Sequence, residues 1–389
     1  LEGIKVSIFD SNATALSSDN ILIDNAGSSA TSQSYTGTTG VNNFTGGAGD
    51  DSFDFSLAAS FQDIDKLDGG DGSDTLTVKV STATSLKPEL ENIENVTFTN
   101  TAAATNDLTI NAVDTASGYD NITNVSSTGG LILNNLQSLP SKFTINNAGD
   151  TMVLDFEAAA VAGDADNLHI NLTGTGTTPT LEITADGTGD IETVTLNSTA
   201  QANTLTTLTT ADVDPSKLVV TGDQGLTITD ALSAEITTVD ASAMTGVVGL
   251  TLSAAPGYAT GITFMGGAGA DAMTGTAGID NVTGGAGNDT ITMTALAATD
   301  TIDGGDGADT LSISQTIASA TVLGGVSNVE TLAVTGANNV TLAAAISATT
   351  FNLADTDAQV LTLDQGYTGA TTVVLATYLG GDSADSADG

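Results

Sequence analysis

The sequence predicts an all-β fold, a parallel β-helix or β-roll solenoid, from three observations. Between Gly266 and Ser312 the chain reads GGAGADAMT, GTAGIDNVT and GGAGNDTIT, nine-residue units begun without a gap at Gly266, Gly275 and Gly284, and then GGDGADTLS from Gly304. The same unit occurs earlier, as GTTGVNNFT from Gly37, GGAGDDSFD from Gly46 and GGDGSDTLT from Gly69. Elsewhere, short runs alternate aliphatic residues with Thr, Asn or an acid, the pattern of a strand with one buried and one solvated face.

The two glycine-rich stretches align as copies. Gly37 matches Gly275 and Gly46 matches Gly284, both 238 residues on, and Gly69 matches Gly304, 235 on. Past the glycines, Asn92-Ile93-Glu94-Asn95-Val96 matches Asn328-Val329-Glu330-Thr331-Leu332 at an offset of 236. The predicted order is therefore a terminal β segment over 1–36, with strands at Ile4 to Phe9 and Asn20 to Asp24, and a first repeat module over 37–98. A β-solenoid or β-sandwich segment over 99–265, a second module over 266–334 and a C-terminal β segment over 335–389 follow.

In the middle segment the strand-like runs are Leu168 to Leu172, Leu181 to Ala185, Val194 to Leu196, Leu218 to Val220, Leu226 to Ile228 and Leu250 to Leu252. A recurring signature at Ile93, Ile122, Ile191, Ile236 and Val329 favours stacked coils, because equivalent strands of a solenoid meet equivalent neighbours. Val153 to Val161 and Ala343 to Ala348 have the composition for single helical turns only. The chain ends in GGDSADSADG, a decayed turn or the start of a further repeat.

Each nine-residue unit should turn over its first six residues, where glycine permits tight backbone conformations, and extend over its last three. The eighth residue (Phe53, Leu76, Met273, Val282, Ile291, Leu311) should point inward. Two units complete a coil, so turns beginning at Gly266 and Gly284 stack on one edge and bring Asp271 and Asp289 around one cavity with their turn carbonyls. Calcium takes six to eight oxygen ligands in irregular geometry, which this arrangement supplies. Asp309, after Gly304, should then face Asp289, and on the opposite edge Asp280 should meet Asp300 or Asp303. In the first module, Asp51 after Gly46 should pair with Asp74 after Gly69, while Asn42 replaces an acid and weakens its edge. Several calcium ions are expected. Stacked carboxylates repel without a cation, so the ion-free chain should be expanded and calcium should drive folding.

The bulk composition agrees. Of 389 residues, 47 are acidic and six are lysine or arginine, all lysine, for a formal net charge of -41. Nucleic acid and anionic membrane need clustered cations, so neither is a partner, and no apolar span is long enough for a membrane helix. Cysteine is absent, which excludes disulfides and thiolate metal sites. No signal peptide is visible at Leu1, and the missing methionine suggests a processed or partial chain. His169 is the only histidine, at a solvent-facing strand position, and there is no arginine, H-E-x-x-H or G-x-S-x-G, so no enzyme is expected.

The glycine-rich units over 37–77 and 266–312 resemble the RTX (repeats-in-toxin) family. That resemblance implies export in unfolded form by type I secretion and folding on extracellular calcium. The Thr/Ala/Asn/Gly-rich β segments, scarcity of basic residues and recurrent N-(I/V)-E-x-(V/L) strands are similar to bacterial surface-layer (S-layer) proteins. This second resemblance implies a secreted, structural protein of the extracellular cell surface that self-assembles into a two-dimensional lattice. Anchoring to cell-surface polysaccharide would use regions outside this chain. The alternative is a secreted adhesin or matrix protein that binds a glycan or surface. The repeats are split into two short blocks and no recognisable C-terminal secretion signal follows, both departures from the usual RTX layout.

Overall fold

A computed structural model describes residues 31–112, 119–174, 179–187, 189–210, 212–254, 260–317, 320–335, 339–342, 347–353, 361–363 and 372–375. The strands expected at Ile4 to Phe9 and Asn20 to Asp24, the closing GGDSADSADG and most of the run from Ala343 to Ala348 lie outside the described residues. The chain forms two compact units, one from the sequence up to Glu192 with Thr210–Val213, the other from Thr193–Thr209 and the sequence from Asp214.

The first unit is a parallel β-solenoid. Its main sheet takes one strand from each coil, in the order Ser34–Thr36, Ser52–Phe55, Thr75–Val80, Asn95–Asn100, Asn121–Val125, Lys142–Asn146 and Asn167–Leu172. Between these strands the chain visits a three-stranded sheet (Asn43–Thr45, Lys66–Asp68, Glu89–Glu91) or a sheet containing Thr84–Leu86, Leu108–Asn111, Leu131–Leu136, Met152–Phe156 and Thr180–Ala185.

The second unit repeats the plan. One sheet holds Thr193–Ser198, Lys217–Gly222, Thr238–Met244, Thr263–Met265, Asn281–Thr283, Thr301–Asp303 and Val326–Ser327. The other runs from Asn203–Leu205 through Leu226–Leu232, Val248–Ala254, Ala270–Thr274, Thr290–Met293, Thr310–Ile313, Thr331–Val334 and Thr350–Leu353 to Thr372–Leu375.

Strands pair in parallel throughout the described residues, which decides the middle segment for a solenoid rather than a sandwich of antiparallel sheets. There is also no break in the main sheet near residue 98, since Asn95–Asn100 pairs with Asn121–Val125. The six middle strands read from alternation all form. Local differences lie at Ala320–Leu323, an unanticipated 3-10 turn, and at Val153 to Val161, where Met152–Phe156 is a strand and only Ala158–Val161 makes a 3-10 turn. Alternation of buried Met152, Leu154 and Phe156 explains the strand, because a period of two fits a pleated sheet and not a helix.

Alternation also builds the core. In the first unit Phe53, Leu76, Val96, Ile122, Phe143 and Ile170 lie in successive register and form one buried file. In the second, Met273, Ile291, Leu311, Leu332 and Phe351 do the same. All six predicted inward residues of the nine-residue units are buried. Each fully buried aliphatic or aromatic side chain contributes about 1.5–3 kcal/mol, so these files are the main cohesive force between coils.

Candidate metal centre

The glycine-rich turns lie where the chain passes from one sheet to the next, and each turn's aspartate immediately precedes a strand residue. Its carboxylate reaches back to the coil before it. In the first unit Gln33 N–H donates to Asp51 Oδ1 (2.6 Å), Asp51 N–H to Asp74 Oδ1 (2.7 Å) and Asp74 N–H to Glu94 Oε2 (2.7 Å). In the second, Asp271 N–H donates to Asp289 Oδ1 (2.8 Å), Asp289 N–H to Asp309 Oδ1 (2.8 Å) and Asp309 N–H to Glu330 Oε2 (2.7 Å). These bonds are charge-assisted and short, and they lock coil to coil. The opposite edge carries the same motif, with Asp280 N–H donating to Asp300 Oδ1 (3.1 Å) and Asn42 N–H to Asp65 Oδ1 (2.8 Å).

The second carboxylate oxygen divides the turns into two kinds. In the turns that open each block, it accepts a local N–H: Gly47 donates to Asp51 Oδ2 (2.6 Å) and Gly267 to Asp271 Oδ2 (2.8 Å). On the opposite edge Thr276 N–H satisfies Asp280 Oδ2 in the same way (2.9 Å). In the later turns the second and fourth residues, Gly70 and Gly72, Gly285 and Gly287, Gly305 and Gly307, take positive φ from 90° upward, which only glycine adopts without strain. The N–H of Gly70 is then given to Asp68 Oδ1 (3.1 Å) and that of Gly305 to Asp303 Oδ1 (3.2 Å). Asp74 Oδ2, Asp289 Oδ2 and Asp309 Oδ2 are left buried with no hydrogen-bond donor.

Burial of these carboxylates without full compensation raises their proton affinity. Asp74 and Asp289 are pushed up to about 6, chiefly by loss of solvent, and Asp309, Asp271 and Asp65 are shifted upward for the same reason. A donorless buried carboxylate oxygen is costly unless a cation or proton meets it. Among the described residues no three acidic or histidine side chains converge into a metal-holding cluster, so remaining ligands would be backbone carbonyls. Such carbonyls are close by. A β-carbon added at Gly284 would collide with both Asp289 Oδ2 and the carbonyl oxygen of Gly304, and one added at Gly69 with both Asp74 Oδ2 and the carbonyl of Asn92. The first glycine of these turns is thus required for space, and the donors around it fit a hard, oxygen-preferring cation.

Of the two acids weighed for Asp280, Asp300 is in register. Asp303 lies on the other edge, where Asn328 Nδ2 donates to its Oδ1 (2.7 Å). Sequence reading missed Asp65 and the two glutamates that end the aspartate files. The signal was present, since Asp65 aligns with Asp300, and Glu94 and Glu330 occupy the same place in the N-(I/V)-E signature. His169 is exposed, Lys66 pairs with Glu89, and Lys217 pairs with Asp240 at 3.0 Å. No protein-family model, curated protein or solved structure matches the chain.

Proposed function

We propose that this chain is a calcium-dependent structural protein of the extracellular cell surface, exported unfolded and assembled with copies of itself into a two-dimensional S-layer lattice. The observation that carries the reading is that three carboxylate oxygens of the glycine-rich turns, on Asp74, Asp289 and Asp309, are buried with no donor among the described residues. In a chain with 47 acids and six lysines, their natural counter-charge is an ion from outside. Calcium would supply positive charge and draw its ligands from these carboxylates and the backbone carbonyls of neighbouring coils. The protein's own part is to hold stacked turns at ligand spacing, which parallel strands with buried files between them do without any moving element. The lattice half of the reading rests on composition and on solvated threonine-rich strand faces, such as the outward residues Thr290 and Thr310.

Electron microscopy with and without millimolar calcium tests the reading. Calcium-dependent sheets or two-dimensional crystals support it. Calcium-bound monomers that stay dispersed and bind a glycan would replace the lattice with an adhesin, and a fold indifferent to calcium would remove both.

A further inference from the structure

Both aspartate files end on a glutamate belonging to a coil that has no glycine-rich turn. In place of the turn's first glycine stand Asn92 and Asn328, held at φ 50° and 48°. Each fixes itself to the preceding turn: Asn92 Nδ2 donates to Asp68 Oδ1 (2.8 Å) and Asn328 Nδ2 to Asp303 Oδ1 (2.7 Å). The asparagine carbonyl lies where the first glycine's carbonyl lies in the glycine-rich turns. A β-carbon at Gly69 would meet the Asn92 carbonyl oxygen and Asp74 Oδ2 together, and one at Gly304 would meet the Asn328 carbonyl oxygen and Asp309 Oδ2. Two residues on, Glu94 and Glu330 receive the backbone N–H of Asp74 and Asp309 on Oε2. Neither Oε1 takes a hydrogen bond among the described residues. Asp74 and Asp309 are each fully buried and each has a donorless oxygen.

We propose that Glu94 and Glu330 are cation ligands, each completing a terminal site with Asp74 or Asp309 and with the carbonyl of Asn92 or Asn328. The proposal rests on the calcium reading above and extends it to residues outside the glycine-rich units. The same network appears in both blocks, although beyond the similar opening strands TLTV and TLSI the residues leading to Asn92 and to Asn328 differ almost completely. A simple hydrogen-bond cap would need only an acceptor, and a glutamine would serve.

Calorimetric titration of the full chain with calcium alone, for the wild type, Glu94→Gln and Glu330→Gln, separates the two roles. Glutamine keeps an acceptor for the aspartate N–H and loses the charge. Each variant should lose one ion per chain, or bind one ion about tenfold to a hundredfold more weakly, and the double variant should lose two. A variant unfolded at the wild-type calcium concentration should fold when calcium is raised by that factor. Unchanged stoichiometry and affinity, or failure to fold at any calcium concentration, would overturn the assignment while leaving wild-type calcium binding intact. A wild type that takes up no calcium would overturn this proposal and the calcium reading together.

Discussion

From Asp65 to Asp74 the first block reads DKLDGGDGSD, and from Asp300 to Asp309 the second reads DTIDGGDGAD, with every acid and glycine in the same place. Downstream, Asn92 matches Asn328 in backbone conformation and hydrogen bonding, and Glu94 matches Glu330 in the N–H it accepts. Upstream the blocks part. In the first, Asn42 faces Asp65 and donates to its Oδ1 from both its N–H (2.8 Å) and its Nδ2 (3.0 Å), so that edge is satisfied by the chain alone. In the second, Asp280 faces Asp300 and the chain again answers every oxygen, with Ile262 and Thr276 donating to Asp280 and the N–H groups of Asp280 and Ala297 to Asp300, but an extra glycine-rich turn on the other edge adds a donorless oxygen on Asp289. The contrast teaches that drift is tolerated where the chain can answer its own carboxylates. It is resisted where a buried oxygen has no internal partner.

Chelation should pull this contrast apart most strongly. Removing calcium with EDTA should lower β-sheet circular dichroism and raise the hydrodynamic radius. Hydrogen exchange should accelerate most over 266–334, which has two donorless oxygens, and less over 37–98, which has one. An unchanged spectrum and radius would sink calcium-driven folding.

Single substitutions sharpen the comparison inside one block. Asp289→Asn should remove one calcium ion, whereas Asp271→Asn should leave the ion count intact. Asp271 already spends its two oxygens on the N–H groups of Leu250 and Gly267, and a carboxamide can accept at only one. Leaving one of those donors unmet should cost about 1–3 kcal/mol, measurable by denaturant titration in saturating calcium. Loss of an ion in Asp271→Asn would move the site back between Asp271 and Asp289.

The core should not distinguish the blocks. Leu76 and Leu311 are equivalent, both fully buried, and both sit in continuous files. Truncating either to alanine should cost about 2–5 kcal/mol in calcium. If only one did so, one block would contribute little to cohesion.

Acidity offers a further probe of the ion-free chain. Asp74 and Asp289 are held near 6 when folded, against 3.8 for an ordinary aspartate, so between these values the folded state holds protons that the unfolded state releases. Their charge therefore destabilises the fold at neutral pH. Stability should rise as pH falls through about 6 and level off below about 4. Melting temperatures in EDTA across this range check the sign, and the gain should shrink in Asp74→Asn and Asp289→Asn. A melting temperature that falls steadily from pH 7 to 4.5 would contradict the burial of these groups.

Much of this architecture was legible beforehand because it follows from periodicity. A nine-residue unit with glycines, an acid and an inward eighth residue dictates coil length, register and the stacking of Asp51 on Asp74 and of Asp271 on Asp289. Period-two alternation placed the middle strands. What could not be read was the division between satisfied and donorless aspartates, since GGAGADAMT and GGAGNDTIT share their glycines and sixth-position acid. The difference lies in the backbone at the turn's second glycine, where Gly285 takes positive φ and Gly267 does not and instead donates its N–H to Asp271 Oδ2. Ile93, Ile191, Ile236 and Val329 share a place two residues before a strand, but Ile122 falls inside one, so the signature mixed two structural roles. Glu94 and Glu330 were visible within it only as surface acids, because the N–H groups they accept come from residues 20 and 21 positions away.

The smallest expected effect concerns the asparagines that close each block. Asn92 and Asn328 occupy the left-handed region, where a β-carbon costs about 1–2 kcal/mol and asparagine is better tolerated than most residues. Each also donates a side-chain hydrogen bond to an exposed edge, where such a bond contributes about 0.5–1.5 kcal/mol. Replacement by glycine removes the hydrogen bond but also relieves the β-carbon cost, and replacement by alanine removes the bond while keeping that cost. In saturating calcium, Asn92→Ala and Asn328→Ala should therefore be less stable than the corresponding glycine variants by about 1 kcal/mol, by nearly equal amounts in the two blocks. An alanine variant as stable as its glycine counterpart would mean the closing turn does not depend on the left-handed residue. A gap in one block alone would mean that only that block retains a functional end.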